Sequence, residues 1–433
     1  MSGCEEKPAG KSMKNWALIH LNIGFVGGVL FVVLTYLVFS QQTGISGLNA
    51  DQPGKVVYNT KGYYSETCEV DGDVRINGTA QSVVLVSTSW SERREWKVRP
   101  YSRKTMPDVK MVTVSQLPDK PAAPACTVRY SVPAVIFALG GLTGNFWHDF
   151  TDVLVPLFIA SRRYAGEVQL LITNANATPW WPAAYGAILR GLSRYDAVDL
   201  DADEHVRCFP RVTVGVHQHK DLTIIPEWAP GGRLAMPDFT RFLREVYSLP
   251  RAAPASLPGK RPRLLLVHRG HSRRIMNEEE ILRAAEAAGF EAAAMDLRRD
   301  AGVEAQARAV NAFDALLGVH GAGLTNAVFL PPGGVLIQVV PYGKMEHIAT
   351  LEFGVPAKDM GLRYLDYVVT AEESTLLETL GPEHPAIKDP EAVHKSGWDK
   401  MTEFYLNKQN VRIDVARFAP TLAQAFDHLR GQQ

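Results

Sequence analysis

Three short blocks of this sequence concentrate residue types that handle anions and protons. His320-Gly321-Ala322-Gly323-Leu324-Thr325-Asn326 follows an apolar run, Ala315–Val319, that reads as a buried strand, and it precedes a second apolar run able to begin a helix. A strand, a tight glycine turn and a helix present backbone N–H groups to a phosphate. Gly321 and Gly323 let the backbone approach an anion, and Thr325 and Asn326 stand where they would cap the helix. An ordinary strand-to-helix connection is the alternative for such a turn. The second block, Gly140-Gly-Leu-Thr-Gly-Asn145-Phe-Trp147-His148-Asp149-Phe-Thr-Asp152, places a glycine-rich turn after another apolar strand. His148 and Asp152 are four apart and share a helix face. A carboxylate beside an imidazole fixes its tautomer and raises its basicity, which suits a general base, with Asp149 in reserve. Alternatively, both carboxylates complement the helix N-terminus while His148 packs. The third block, His268-Arg269-Gly-His271-Ser272-Arg273-Arg274-Ile-Met-Asn277, sits between a strand and a helix. Arginines near a phosphate turn can neutralise a diphosphate leaving group without a metal, whereas a solvated basic turn is the plainer alternative.

Other chemistries fit less well. Asp199-Leu-Asp201-Ala-Asp203 contains a D-x-D, the pattern that one class of glycosyltransferases uses to hold a divalent metal on a nucleotide-sugar diphosphate, but an acidic turn after a strand explains it equally. A calcium loop fails, because Glu204 stands where glycine is required and Pro210 where a bidentate Glu is required. HGAG is similar to the oxyanion-forming HGGG of esterases, yet the chain has no G-x-S-x-G nucleophile elbow, and no Walker lysine motif supports ATP chemistry.

The elements that must position these blocks alternate. Before about Pro250, Val132–Leu139 and Val168–Ile172 read as buried strands and Asp152–Arg163 as a helix. Ala252–Pro262 is a linker by composition. Beyond it come a strand at Arg263–Val267, an amphipathic helix at Glu278–Ala288, a strand at Phe290–Met295, a helix at Glu304–Asn311, and strands at Leu316–Val319 and Gly334–Val340. Strands alternating with helices predict a parallel α/β sheet with ligands at the carboxyl ends of its strands. Two such halves joined by one linker predict two Rossmann-like domains facing a cleft.

The 433 residues carry a formal net charge of +0, so no bulk attraction to nucleic acid or acidic membranes is indicated. Trp16–Phe39 contains no charged residue and is long enough to cross a hydrocarbon core of roughly 30 Å. Lys7, Lys11 and Lys14 precede it, which places the N-terminus in the cytosol and the rest of the chain across the membrane. The segment is longer than the apolar core of a cleaved signal peptide and ends in bulky residues, so an uncleaved signal anchor is expected. The expected organisation is a cytosolic tail (1–15), a transmembrane signal anchor (16–39), a polar stem (40–65) and a lumenal body. Cys68, Cys126 and Cys208 lie beyond the membrane, where an oxidising compartment permits one disulfide and one leftover thiol; Cys68–Cys126 is the expected pair. The sequons at Asn77 and Asn176 fit a secretory path, the second less well because Pro179 follows it.

Together the blocks resemble glycosyltransferase family 61, which includes plant Golgi enzymes that decorate xylan and animal O-glycan relatives. The resemblance runs from about Cys68 to the C-terminus. It includes Pro133-Ala-Val-Ile-Phe, the Gly140–Asp152 block, Cys208-Phe-Pro, Val214-Gly-Val-His-Gln-His219, Arg269, Ser272, Arg273, Asn277, and His320–Asn326 with Phe329-Leu-Pro331. Gln338-Val-Val-Pro-Tyr-Gly343, His384-Pro, Gly397-Trp and Lys408-Gln-Asn-Val-Arg412 look like the plant branch. Leu142, where that branch usually has an aromatic residue, and His268, where a small residue is common, depart from the pattern.

The resemblance implies an inverting, metal-independent transferase of the two-domain type called GT-B. An acceptor-side domain (66–255) would carry Asn145, Trp147 and His219 towards the glycan. A nucleotide-sugar domain (262–433) would bind the donor with Arg269, Ser272, Arg273, Asn277, the His320–Asn326 turn and Gln338, its final helices packing back on the first domain. It implies a Golgi-membrane, single-pass type II enzyme with a lumenal catalytic domain. That enzyme would transfer arabinofuranose or xylose from a UDP-pentose onto xylan or a related polysaccharide, without a cofactor, in a complex with other glycosyltransferases if it uses one. A non-catalytic scaffold that binds glycan or nucleotide sugar, and an O-glycan GlcNAc transferase, remain as alternative readings.

Overall fold

The computed structural model describes residues 54–60, 62–86, 92–117, 123–254, 260–297 and 301–431. The expected tail, signal anchor and most of the stem lie outside them. Among the described residues no helix is long and apolar enough to cross a membrane.

Fifteen strands are described, numbered in chain order. The first ten are β1 (Lys55–Asn59), β2 (Thr67–Asn77), β3 (Ser82–Val86), β4 (Arg94–Val98), β5 (Val112–Leu117), β6 (Val128–Arg129), β7 (Ala134–Ala138), β8 (Gln169–Thr173), β9 (Val198–Asp199) and β10 (Val206–Val214). They form one sheet in the order β4-β5-β3-β2-β10-β7-β8-β9, with β1 on β2 and β6 on β10. The remaining five are β11 (Arg263–Val267), β12 (Glu291–Met295), β13 (Ala315–Val319), β14 (Val335–Val340) and β15 (Arg363–Val368), in the order β12-β11-β13-β14-β15.

All pairings in the second sheet are parallel, as the alternation of strands and helices predicts. Its strands are continuous apolar runs because both faces are covered. Leu265 and Leu316 point into the core shared with the first half, while Leu264, Leu266 and Leu317 point into a second core under the helices Glu278–Ala287 and Val415–Arg430. The first sheet departs from the expected Rossmann-like pattern. It is mixed: β10, β7, β8 and β9 run parallel, as do β6 on β10 and β3 on β5, whereas β2 pairs antiparallel with β1, β3 and β10, and β4 with β5. Lys55–Asn59, which polar composition assigns to the stem, is a strand on β2 with Lys55, Val57 and Asn59 exposed.

Two further expectations are corrected. The final helix does not pack back on the first half: its stripe Phe418, Leu422, Ala425 and Leu429 fits the second sheet's own core. The disulfide is Cys126–Cys208, not Cys68–Cys126. The parallel register of β6 on β10 brings Cys126 beside Cys208, whereas Cys68 opposes Val214 at the far end of the β2–β10 ladder and is buried as a free thiol. Of the two sequons, Asn77 ends β2 and accepts a hydrogen bond from the Thr79 hydroxyl at 2.9 Å, and Asn176 is exposed on a 3-10 turn.

Candidate active site

The crevice at the carboxyl ends of β11 and β13 is where the strand order of the second sheet reverses, the usual ligand position in open parallel sheets. The loop after β11 carries Arg269 and Arg273; the turn after β13 carries His320–Asn326. Gly321 has φ +140°, and a Cβ there would stand 2.7 Å from Arg273 Nη1 and 3.1 Å from Arg269 Nη1, so glycine is required for the two guanidiniums to lie against the turn. Arg273 itself sits at φ +61°, which costs a non-glycine residue about 1–2 kcal/mol and marks a held conformation. Its Nη1 donates to the His320 carbonyl (2.8 Å), and Arg269 Nε donates to the Ser272 carbonyl (3.0 Å). Neither guanidinium forms an ion pair with a carboxylate among the described residues, and the buried Arg273 Nε has no hydrogen-bond partner there. Burial, then the neighbouring Arg269 charge, pushes Arg273 down to about 9; burial likewise lowers Arg269. Two half-buried cations side by side, with no carboxylate in ion-pair contact among the described residues, are a built anion site.

The turn differs from its expectation in one respect. Ala322–Phe329 is a 3-10 helix beginning at Gly321, with Thr325 and Asn326 inside it as buried residues and not as caps. Asn326 Nδ2 donates to the Gly323 carbonyl, while Asn326 Oδ1 and Thr325 Oγ1 are buried without a described partner. Gln338 Nε2 donates to His320 Nδ1 (2.7 Å), and the Tyr364 hydroxyl donates to Gln338 Oε1 (2.8 Å). Burial and then the two arginines push His320 down to about 3, so the imidazole is neutral with its proton on Nε2. Asn277 does not reach this site: its amide holds the Ile413 backbone at both ends and donates to Glu280.

Across the crevice, the segment after β7 carries the second block. His148 Nδ1 lies 2.9 Å from Asp152 Oδ2, and Asp152 is completely buried. The same oxygen accepts from the Tyr101 hydroxyl (2.7 Å) and Arg103 Nε (2.8 Å). Burial alone would raise the Asp152 carboxyl; the hydrogen bonds from His148 and Arg103 overcome it and hold the group below the ordinary carboxylate range. An ionised Asp152 keeps the proton on His148 Nδ1 and leaves Nε2, which makes no hydrogen bond among the described residues, with a lone pair. The pairing spans a π-helical turn, Asp149–Leu154, a distortion common at functional sites. Asp149 faces away from the crevice. It is fully buried and receives the Gly144 N–H (2.8 Å), Trp181 Nε1 (3.0 Å) and the Tyr185 hydroxyl (2.8 Å), so it anchors the glycine-rich turn. Asn145 caps the short helix that starts the block, accepting from the Trp147 N–H, and Arg103 stacks over Trp147 at 5.7 Å.

Four side chains that the motifs do not reveal complete the site: Tyr101, Arg103, Asp221 and Glu352. Arg103 Nη2 bridges to Asp221 (3.3 Å), and Glu352, on a second π-helical turn (Thr350–Gly354), lies 3.5 Å from His320 Nε2. Burial, then the Asp221 charge, pushes Glu352 up to about 7, while Arg103 and Arg273 oppose the rise. The two halves of the site are therefore electrostatically one cluster. Because His320 is neutral, its 3.5 Å approach to Glu352 is not an ion pair between two charged groups. Asp199, Asp201 and Asp203 lie elsewhere, engaged by protein donors: Asp201 accepts from Gln81, Thr173, Lys110 and the Asn174 N–H, and Asp203 from Arg207.

Glu352 gives a pH prediction. A folded-state value raised above its ordinary 4.5 contributes stability that is present below 4.5 and lost as pH rises through about 7. Glu352→Gln removes that loss, so the Tm of the variant is expected to exceed wild type at pH 8 and to match it at pH 4.5. A pH-independent difference measured by calorimetry would contradict the assignment.

Comparison with known proteins places this geometry in a family. The family model Glycosyltransferase 61 matches residues 146–337, from the start of the His148 block to β14. The chain is similar to the beta-1,2-xylosyltransferase XYXT1 of Oryza sativa subsp. japonica, 46% identical over 390 residues that cover 84% of this chain and 83% of the relative. It is also similar to the alpha-1,3-arabinosyltransferase XAT3 of the same organism (41% over 398 residues, 90% and 68% covered). A third relative is the xylan glycosyltransferase MUCI21 of Arabidopsis thaliana (33% over 390 residues, 84% and 78% covered). The matched span joins the His148–Asp152 pair to the arginine-lined turn, and the chain belongs to glycosyltransferase family 61.

Proposed function

We propose that the chain is an inverting pentosyltransferase of the GT-B type. The half up to about residue 255 receives the acceptor, and the half from 262 onwards binds a UDP-pentose. The observation that carries this reading is the Arg269–Arg273 pair at the switch point, without an ion-pair partner among the described residues and facing the His148–Asp152 pair across one crevice. In the proposed reaction His148 Nε2 takes the proton of an acceptor hydroxyl as its oxygen attacks the anomeric carbon. The bond from that carbon to the UDP oxygen breaks with inversion, and Arg269, Arg273 and the N–H groups of the Gly321–Thr325 turn receive the diphosphate charge. Asp152 orients and stabilises the imidazolium. The relatives' names support xylan as acceptor and xylose or arabinofuranose as donor sugar, and the Trp16–Phe39 segment supports a type II Golgi membrane protein with its active site in the lumen. Two half-buried guanidiniums supply the charge that a metal provides in D-x-D enzymes, and the D-x-D carboxylates are taken up in the first half's own hydrogen bonds.

The test is a screen of the purified full-length chain against UDP-arabinofuranose, UDP-xylose and UDP-GlcNAc with xylan oligomers as acceptors, with and without excess EDTA. Pentose transfer that survives EDTA is expected. Transfer of GlcNAc alone, or loss of activity in EDTA, would overturn the donor or the metal assignment. Xylan binding with no transfer from any donor would replace the enzyme by a scaffold.

A further inference from the structure

Beyond Asp221, on the side away from Asp152, the crevice opens into a pocket of about 560 Å³, within the ordinary range for ligand sites. Both halves build it: Tyr63 from the turn after β1, His219 and Trp228 from the segment after β10, and Leu351 from the π-helical turn that carries Glu352. Tyr63 is 83% exposed, Trp228 56% and Leu351 50%, so three large apolar side chains stand in water around one concavity. Exposed aromatics gathered at a pocket, and not scattered singly, mark a binding surface. His219 gives an independent sign. It is only 3% exposed, and its Nδ1 accepts the Ile225 N–H (3.0 Å). Burial, then neighbouring His217, pushes it down to about 4, so the ring is neutral and Nε2 must carry the proton. That buried Nε2–H has no partner among the described residues. The Trp228 ring meets the His219 ring edge to face at 5.7 Å, joining the donor to the aromatic wall.

Lys220 and Asp221 give the lining one charge of each sign, so an occupant need carry none; it must be flat enough to stack on exposed rings and offer an oxygen to one neutral N–H. Pyranose rings with equatorial hydroxyls meet both demands, since their axial C–H faces pack on aromatic faces and their rims accept hydrogen bonds. We propose that this pocket is the acceptor subsite. It holds a short run of neutral pyranose units stacked on Trp228 and Tyr63 and hydrogen-bonded by His219 Nε2–H, and it delivers the free hydroxyl of the next unit past Asp221 to His148. The role as acceptor subsite rests on the transferase reading above; sugar binding at the pocket does not.

Both are tested with the purified full-length chain and xylohexaose, by calorimetric titration and by acceptor and donor kinetics. Trp228→Ala is expected to weaken xylohexaose binding and raise its KM about tenfold or more, leaving the donor KM in place. Trp228→Tyr should restore most of the affinity, and His219→Gln, which keeps a donor, should be milder than His219→Ala. Unchanged titration and acceptor KM in Trp228→Ala and in the Tyr63→Ala/Trp228→Ala double variant would overturn the proposal, even while the wild type transfers pentose. Xylohexaose binding that depends on Trp228 with no transfer from any UDP-pentose would sustain the sugar site and overturn the transferase reading. Absence of both binding and transfer would overturn the two together.

Discussion

His148→Ala is expected to lower pentose transfer about 10²- to 10⁴-fold, the usual contribution of a positioned general base, with most of the loss in kcat. The choice of His148 over its acidic neighbours follows from exposure and hydrogen bonding. Asp149 and Asp152 are both fully buried. Asp149 is surrounded by Trp181, Tyr185 and the Gly144 N–H, and Asp152 Oδ2 is taken by three donors. Only the imidazole presents a nitrogen to the crevice. Asp152→Asn should also be slow, for a different reason: its amide oxygen can take the place of Oδ2, since Oδ1 has no described partner, but without the carboxylate charge nothing balances Arg103 or stabilises the imidazolium. That variant carries a structural penalty as well, because losing one partner of a buried ion pair costs roughly 3–5 kcal/mol. The informative comparison is therefore His148→Ala with its Tm measured alongside. A native-like Tm with transfer at wild-type rate would show that another group removes the proton.

How much of this site could be read from the sequence depended on range. The second sheet is legible because β11, β13 and β14 are uninterrupted apolar runs separated by well-marked helices, and Glu278, Glu279 and Glu280 announce a helix N-terminus. Arg269, Arg273 and the Gly321 turn are legible because each follows its strand directly, and adjacency of β11 and β13 then brings them together. His148 and Asp152 are legible because an i,i+4 spacing survives a π-helical turn. Arg103 is not, since its partners Asp152 and Asp221 lie 49 and 118 residues away and nothing local marks it. Glu352 has only the faint signal of a carboxylate in an otherwise apolar stretch. Asp221 stands two residues from His219, so that motif pointed at the right segment without naming its acid. The disulfide failed for the same reason as Arg103: pairing is set by the parallel register of β6 on β10, a long-range fact. Asn277 shows the converse error, a residue that travels with the donor motif yet clamps the Ile413 backbone.

Arg273→Met is expected to separate stability from function in one substitution. In the free protein Arg273 is a half-buried cation beside a second cation, held at a left-handed φ, with its buried Nε lacking a partner among the described residues. Removing the charge relieves the repulsion from Arg269 and the desolvation, at the cost of one hydrogen bond to the His320 carbonyl. Replacing buried charge by an apolar side chain of similar length is commonly neutral or stabilising, so the variant should melt no lower than wild type without ligand. With UDP the order should reverse. A ligand that binds only the folded state stabilises by about 2.7 kcal/mol at a hundredfold excess over its Kd, and the variant should lose most of that gain. Transfer should fall about 10²- to 10³-fold, as when one preorganised donor to a developing anion is removed. Charge on the leaving diphosphate grows towards the transition state, so kcat should fall more than the donor KM rises. Arg273→Lys should recover little, because a point charge on a flexible stem reproduces neither the fork nor the held backbone. A UDP-induced Tm shift in Arg273→Met equal to that of wild type would place the diphosphate elsewhere than against the Gly321 turn.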